Sequence, residues 1–365
     1  MAKQDEPVRV GVIGCGQVAQ RGHLPALQHV HEAKVVAVCD LDRELVERTG
    51  SRFGVERRYV DAKKLIADRD VEAVAMCLPA DIRGDLALAV LDAGKHLLLE
   101  KPLALSLSAA DRLIECAEKS SAVSMIGFNM RFHRLLRRAR DAVRRGVVGR
   151  VRMIEARFGS PPLHRSPDYD WRRWRARGGG ALVNVAIHHF DLWRFLLSTE
   201  VEEVFATTRD GESGDEVVTV TARLRGGTLG ISSVVEETGS RYDVEILGEK
   251  GRLDVSCYRF DGYRHTPIGT APGDIRTRVK EVANTLAELP RALLRPGLSS
   301  DYALTFRDEW RHFVDCIRNG QSPECTLTDG RRALEIVIAA CCATAQGRLV
   351  RMGEIPDCIL PARSD

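Results

Sequence analysis

The chain has 365 residues, of which 44% are apolar, and a formal net charge of +3 at neutral pH. This length is sufficient for two domains with real hydrophobic cores. The N-terminus shows no apolar leader, and no stretch reaches the roughly 18 apolar residues of a membrane span, so we expect neither a signal peptide nor a membrane anchor. Ten scattered cysteines without zinc-type spacing indicate reduced thiols and a cytoplasmic location.

The first third of the chain alternates short apolar runs with helix-length segments, which predicts βαβ units and a parallel sheet. The predicted strands are Val8–Ile13, Val35–Asp40, Ala73–Cys77, His96–Leu99 and Val123–Gly127. The predicted helices between them are Asp42–Phe53, Arg83–Ala93 and Ser108–Lys119. Ser108 with Asp111 three residues later resembles a capping box. Residues 1–127 are therefore predicted to form one open, doubly wound domain.

The turn after the first strand has the pattern Gly14-x-Gly16-x-x-Ala19. A dinucleotide-binding turn needs a tight bend at the first glycine, close backbone approach of a pyrophosphate at the second, and a small third residue for packing. The glycine pattern alone is a weak indicator. It is strengthened by Asp40, which ends the second strand 24 residues after Gly16, near the spacing of about 20 expected for a ribose-binding acid.

A carboxylate at Asp40 would accept hydrogen bonds from ribose hydroxyls and repel a 2′-phosphate, so the sequence predicts NAD as cofactor. Arg43 keeps NADP as the less favoured alternative. The predicted cofactor-binding residues are Gly14, Cys15, Gly16, Gln17, Val18, Ala19, Asp40, Arg43, Leu78, Pro79, Glu100 and Lys101.

Lys101 lies between Glu100 and Pro102, directly after the strand His96–Leu99. Ligands of open parallel sheets bind outside the carboxyl ends of the strands, so Lys101 is expected near a nicotinamide and its substrate. A positively charged ring nearby would lower the pKa of the lysine, which suits proton transfer. A surface lysine without such a role is the alternative.

A different pattern follows residue 127 and predicts a second domain, residues 128–365. A basic helix runs to Arg145, a strand covers Gly149–Phe158, and a helix follows three consecutive glycines, 178–180. Four β-like runs then predict an antiparallel sheet: Val201–Arg209, Glu216–Arg225, Thr228–Val235 and Tyr242–Leu247. Residues 261–300 show no clear pattern, and helices near Phe306–Arg318 and Asp329–Gln346 end the chain. We interpret the arginines between residues 131 and 157 as a solvated helix face, with a site for an anionic substrate or a phosphate as the alternative. A nucleic-acid site is not expected.

Several motifs together resemble the Gfo/Idh/MocA oxidoreductases over nearly the whole chain. They are the glycine turn, AVCDLDRE, AGKHLLLEKPLAL, GFNMRF, WRRWRARGGGALVNVAIHHFDLW and DGRRALEIVIAA. The resemblance implies a Rossmann domain followed by an α/β domain with an open, mainly antiparallel sheet that often serves for oligomerisation. It also implies a nicotinamide cofactor and a sugar or polyol substrate. We expect a homo-oligomer, dimer or tetramer, and no nucleic-acid or membrane partner.

The family's helix motif, placed on this sequence, selects His188 rather than His189 as the catalytic candidate. Asn184 and His188 are four residues apart and share a helix face, whereas His189 points about 100° away. His188 is predicted to take a hydroxyl proton while hydride leaves the same carbon, and Lys101 to stabilise the oxygen. Asn184 never ionises, so it is expected to orient its neighbours by hydrogen bonds.

The resemblance also assigns substrate contacts to Asn129, Arg131, Trp171 and Arg172, beside Asn184 and His188. Arginine can grip hydroxyls or an anionic group, and tryptophan offers an apolar face to a sugar ring. No metal site is predicted. The function predicted is an NAD-dependent sugar or polyol dehydrogenase. Two alternatives stay open: a redox-neutral reaction with transient oxidation followed by elimination or hydrolysis, and a non-catalytic nicotinamide-sensing module.

Overall fold

Six parallel strands form the sheet of the first third of the chain. The computed structural model describes residues 6–161, 177–211, 214–271, 273–294 and 300–358. The strands are β1 (Val8–Ile13), β2 (Ala33–Cys39), β3 (Arg57–Tyr59), β4 (Ala73–Met76), β5 (His96–Glu100) and β6 (Ser124–Gly127). Their order is β3-β2-β1-β4-β5-β6, which confirms the predicted doubly wound sheet. The strand order reverses between β1 and β4, so a ligand crevice is expected at their carboxyl ends.

Five helices flank this sheet, and side-chain caps fix the start of three of them. They are α1 (Leu24–Leu27), α2 (Arg43–Phe53), α3 (Ala62–Ala67), α4 (Gly84–Asp92) and α5 (Leu107–Lys119). Asp42 caps α2, Asp61 caps α3 and Ser106 caps α5. The predicted cap at Ser108 is wrong. Its backbone amide and its hydroxyl both donate to Asp357 instead.

The second sheet has eight strands in the order β13-β12-β11-β7-β10-β9-β8-β14. They are β7 (Val151–Gly159), β8 (Val201–Gly211), β9 (Gly214–Leu224), β10 (Leu229–Val235), β11 (Arg241–Gly248), β12 (Gly251–Ser256), β13 (Tyr263–Pro267) and β14 (Val350–Arg351). Only the pair of β7 and β10 is parallel among these described strands. The expected open, mainly antiparallel sheet is confirmed. Burial alternates along β10 and β11, as in a sheet with one covered face.

Five further α-helices follow β6 in the described part of the chain. They are α6 (Arg134–Arg144), α7 (Ile187–Leu197), α8 (Ile275–Leu293), α9 (Asp301–Asn319) and α10 (Leu327–Gln346). Helix α9 reaches the helical segment after β1 through Trp310, whose indole N–H donates to His23. Helix α10 reaches α5 through an ion pair of Arg331 with Asp111. Strand β13 and helix α8 lie within residues 261–300, for which the sequence pattern predicted no element.

The basic run of α6 is extensively ion-paired. Arg134 contacts Glu288 and Asp301, and Arg137 contacts Glu324. These contacts agree with the interpretation of the run as a helix face. Among the residues that the structure describes, none of the helices has the length and apolar character needed to cross a membrane.

Candidate active site

The turn after β1 has the geometry of a dinucleotide loop. Gly14 has φ +95°, and a Cβ there would lie 2.8 Å from the carbonyl carbon and oxygen of Cys77, so only glycine fits. A Cβ on Gly16 would meet nothing within 4 Å, so the loop borders open space at this point. Helical structure starts at Gln17, and Ala19 is fully buried. Backbone amides at such a helix start suit a pyrophosphate.

Asp40 follows β2 and is anchored beside this loop. Its Oδ2 accepts a hydrogen bond from the Cys15 amide at 2.8 Å, and its Oδ1 accepts one from the Asp42 amide at 3.1 Å. Each carboxylate oxygen has a second acceptor position, so ribose hydroxyls can still bind to it. Arg43, the first residue of α2, is exposed close by.

The segment after β4 brings a buried arginine to the same crevice. The Leu78 side chain packs against Gly14, where an added Cβ would lie 3.1 Å from Leu78 Cδ2. The partly buried Pro79 follows Leu78. Arg83 is 2% exposed and donates from Nη1 to the Leu78 carbonyl at 2.8 Å. Its Nε and Nη2 have no hydrogen-bond partner among the described residues, and burial lowers the pKa of Arg83 to about 10. Orphaned buried donors are unfavourable, so this pair fits a ligand that supplies acceptors.

Glu100 ends β5 and is held by a relay of hydrogen bonds. Trp310 Nε1 donates to His23 Nδ1 at 3.1 Å, so His23 Nε2 is the donor in its 2.9 Å contact with Glu100 Oε1. Burial alone would raise the pKa of Glu100, but the hydrogen bond from His23 and the charges of Lys101 and Arg83 lower it. The Lys101 amide donates to Glu100 Oε2 at 3.2 Å. Glu100 therefore positions the backbone of Lys101.

The Lys101 ammonium is bound to the start of α7. Its Nζ donates to the carbonyl oxygen of Asn184 at 2.8 Å and to Oδ1 of the same residue at 2.7 Å. Asn184 lies in a π-helical turn, Leu182–Ala186, and such turns occur frequently at functional sites. The predicted shared face of Asn184 and His188 assumed an α-helix of about 3.6 residues per turn, which the π turn replaces. The structure brings Lys101 and Asn184 together directly.

His188 stands next to this pair as a neutral base. The residue is partly exposed, and its ring contacts Phe128 edge-on at 6.1 Å between centroids. Its Nδ1 is buried and has no partner in the described part of the chain, which leaves Nε2 at the accessible edge. Burial, then the charge of Lys101, then His189 lower the pKa of His188 well below its ordinary value. The imidazole is therefore uncharged at neutral pH.

His189 belongs to the core instead. It is fully buried, its Nδ1 lies 2.7 Å from Ser232 Oγ on β10, and its ring packs against Tyr242 on β11. Burial lowers the pKa of His189 to about 3. The two neighbouring histidines thus have different surroundings.

The structure gives Asn129 and Arg131 contacts within the protein. Asn129 Nδ2 donates to Thr305 Oγ1 at 2.9 Å. Arg131 is buried, and all three of its guanidinium nitrogens donate, two to Asp191 and the third to Asp329 and to the Glu324 carbonyl. These contacts favour a role in joining elements rather than the predicted substrate contact. Trp171 and Arg172 lie outside the described residues.

Sequence reasoning missed His23 and Trp310, which hold Glu100 although 287 residues separate them. No local motif marks either residue. Within the described ranges, no three His, Cys, Asp or Glu side chains are grouped to hold a metal ion.

Comparison with known proteins identifies the family. The model described as "Oxidoreductase family, NAD-binding Rossmann fold" matches residues 8–128, and the GFO/IDH/MocA C-terminal domain model matches residues 136–254. The chain is 29% identical to a myo-inositol 2-dehydrogenase of Thermotoga maritima over 359 residues, 95% of this chain and 99% of that protein. It is 32% identical over 252 residues to a dTDP-3,4-didehydro-2,6-dideoxy-alpha-D-glucose 3-reductase of Saccharopolyspora spinosa, covering 68% and 75% of the two chains.

A solved structure of a probable dehydrogenase from Thermotoga maritima has the same fold, with a TM-score of 0.77 at 26% identity, and the match covers 95% of this chain and 100% of that one. The two family models follow one another along the sequence as the two sheets do. The chain therefore belongs to the GFO/IDH/MocA family of oxidoreductases, which have an NAD-binding Rossmann fold.

Proposed function

We propose that this protein is an NAD-dependent dehydrogenase that transfers hydride from a CH–OH carbon of a sugar or polyol. The observation that carries the proposal is the Lys101 ammonium, held by Asn184 at 2.7 Å beside the neutral, partly exposed His188. A base and a cation at one hydroxyl are what alcohol oxidation needs. The relatives' names, an inositol dehydrogenase and a deoxysugar reductase, support this substrate class.

The residues around the crevice fit a dinucleotide. The amides at Gly16 and Gln17 suit its pyrophosphate, and Asp40 suits its adenosine ribose. The unpartnered donors of Arg83 suit oxygen acceptors on the nicotinamide side. When bound, NAD supplies the hydride acceptor at nicotinamide C4.

His188 and Lys101 divide the proton chemistry between them. His188 takes the hydroxyl proton through Nε2 as hydride leaves the carbon, since its neutral form dominates at neutral pH. Lys101 donates a hydrogen bond to the same oxygen and stabilises its developing negative charge. Asn184 fixes the Lys101 side chain through two hydrogen bonds. In the reverse direction His188 returns the proton.

Reduced nicotinamide absorbance tests the proposal directly. Purified protein with NAD is incubated with separate panels of polyols, free sugars, amino sugars and nucleotide-sugars, and the near-ultraviolet absorbance is followed. We expect a steady rise with one class, and with H188A a rise slower by about 100-fold or more although H188A still binds NAD. Bound NAD without a rise on any panel would overturn the dehydrogenase proposal in favour of redox-neutral catalysis or sensing.

The cofactor assignment rests on Asp40 and has its own test. Direct titration should give a lower Kd for NAD than for NADP, and D40S should reduce the ratio of the NADP Kd to the NAD Kd at least ten-fold. Tighter binding of NADP by the wild type would contradict it.

We also propose that residues 1–127 and 128–365 are the two domains, and that the protein is a homo-oligomer. The first sheet ends at Gly127, which supports the boundary.

A further inference from the structure

Helix α8 turns its apolar side chains to solvent. Six of them lie in one row and expose between 38% and 77% of their surface: Ile275, Val279, Val282, Leu286, Leu289 and Leu293. None of the residues of α8 is buried. A contiguous exposed apolar row of this length marks an interaction surface.

The polar side of α8 faces the protein and fixes its rotation. Glu281 accepts a hydrogen bond from Arg264 at 3.0 Å, and Glu288 accepts one from Arg134 at 3.0 Å. Thr285 Oγ1 donates to Asp261 at 2.7 Å. Turning the apolar row inward would break these contacts and bury the two carboxylates. These contacts therefore hold the row exposed, with Val282 and Leu286 bordering the open cleft between α8 and strands β11, β12 and β13.

The spacing of the row is that of a coiled-coil seam. The intervals along it alternate between four and three residues from Ile275 to Leu293, which is the heptad a/d pattern. An a/d-only row is narrower than the apolar face of a helix that packs on a core or lies on a membrane. The row therefore fits one partner helix better than a lipid surface.

We propose that α8 pairs in antiparallel orientation with α8 of a second copy of this chain. The six apolar positions are symmetric about residue 284, so a two-fold axis at that point matches every layer. The layers would be Ile275 with Leu293, Val279 with Leu289, and Val282 with Leu286. Each layer then sets one β-branched side chain against one leucine. A two-fold contact of one surface with itself closes a dimer.

The charges beside the seam select the antiparallel direction. Arg276 and Arg278 flank its N-terminal end, whereas Pro290 and Ala292 flank its C-terminal end. Antiparallel pairing sets the two arginines beside the uncharged flanking residues Pro290 and Ala292 of the second helix, at the end where the helix dipole is negative. Parallel pairing would set the arginines of both copies side by side.

The area is sufficient for a stable contact. Each side chain of the row contributes on the order of 100 Å² of exposed apolar area, so the row offers on the order of 600 Å² per copy. Flanking residues add to this, and a standard interface buries about 800 Å² per partner.

Sedimentation equilibrium of the full chain at micromolar concentration tests the pairing. We expect the wild type to self-associate and L286E, in the central layer, to raise the dissociation constant at least ten-fold. A287E is the matched control, because it adds the same charge one residue along on an exposed position off the seam. NAD binding reports that both variants fold. A monomeric wild type, or equal association of L286E and wild type, would overturn the proposal. A wild type that stays monomeric and co-floats with anionic phospholipid vesicles would overturn it in favour of a lipid surface.

The direction of pairing has a separate test at Ala292. A292E would face Arg278 of the second copy and should tighten association about two- to ten-fold at low salt, while A292K should weaken it by a similar factor. Glutamate and lysine have similar helix propensities, so the comparison isolates charge. Equal or reversed effects would overturn the antiparallel arrangement.

Discussion

Replacing each of the two neighbouring histidines with alanine should produce opposite defects. His188 is partly exposed next to Lys101, whereas His189 is fully buried against Ser232. H188A removes the proposed base and H189A removes part of the core. The pair is its own matched control, because both changes delete the same side chain on the same turn of α7.

The expected size of each defect follows from these surroundings. A positioned general base contributes about 10²- to 10⁴-fold to rate, so H188A should lower kcat by that factor. Its unfolding free energy should change by less than about 1 kcal/mol, since Nδ1 of His188 makes no hydrogen bond with any described residue. H189A leaves the buried Ser232 hydroxyl without its imidazole partner and opens a cavity, together about 3 kcal/mol.

Three measurements on the same preparations separate these outcomes. Steady-state rates with the substrate found by the absorbance assay give kcat, urea titration gives the unfolding free energy, and cofactor titration gives the Kd for NAD. H189A should retain kcat within a few-fold. Equal losses of kcat in both variants, with folding and NAD binding intact, would refute the assignment of His188 as the base.

Further expectations concern pH and the cofactor. His189 is protonated below about pH 6.5 in the unfolded chain but only below about pH 3 in the folded chain, so its contribution to the unfolding free energy is lost as pH falls. The loss is about 1 kcal/mol between pH 6.5 and 5.5. Urea titrations of H189Q should lack this loss, and the same dependence of unfolding free energy on pH in H189Q and wild type would contradict the assignment. N184D would put a carboxylate against Lys101 and raise the pKa of His188, so the acid limb of the pH profile of kcat/KM should move to higher pH. An acid limb at the same pH in N184D and wild type would argue against His188 as the titrating base. R83M should raise the Kd for NAD at least ten-fold and leave the Tm of the cofactor-free protein nearly unchanged, because loss of the hydrogen bond to the Leu78 carbonyl is offset by removal of two orphaned donors. A lower Tm with an unchanged Kd would make Arg83 structural.

Local patterns in the sequence were enough for most of the first sheet. The first strand, Val8–Ile13, is observed with the predicted bounds, because a short apolar run before a glycine turn is typical of a buried strand. Strand β3 has only three residues, Arg57–Tyr59, and no apolar pattern, so it could not be predicted. The cap of α5 was misplaced by two residues because Ser106 and Ser108 are both good caps, and the contact that decides comes from Asp357, 249 residues away.

The site depended more on contacts distant in sequence. Nothing in the spacing connects Lys101 with Asn184, 83 residues later, and only the family motif suggested both. The same motif suggested Arg131 as a substrate contact, whereas in the structure its guanidinium bridges Asp191 and Asp329. An arginine that binds substrate and one that bridges two carboxylates look alike in a sequence. Burial and partner identity separate them, and both are properties of the fold.

The residue four positions before the base changes the charge balance of the site. A carboxylate at position 184 would neutralise Lys101 and raise the pKa of His188, whereas the amide of Asn184 fixes the same lysine without adding charge. Glu100, the acid next to Lys101 in sequence, directs Oε1 to His23 and Oε2 to the backbone of Lys101. The ammonium charge therefore acts on His188, whose pKa it lowers, and on the substrate oxygen, whose negative charge it stabilises. Both effects favour proton removal from the hydroxyl, so asparagine at this position suits oxidation with a neutral histidine as base.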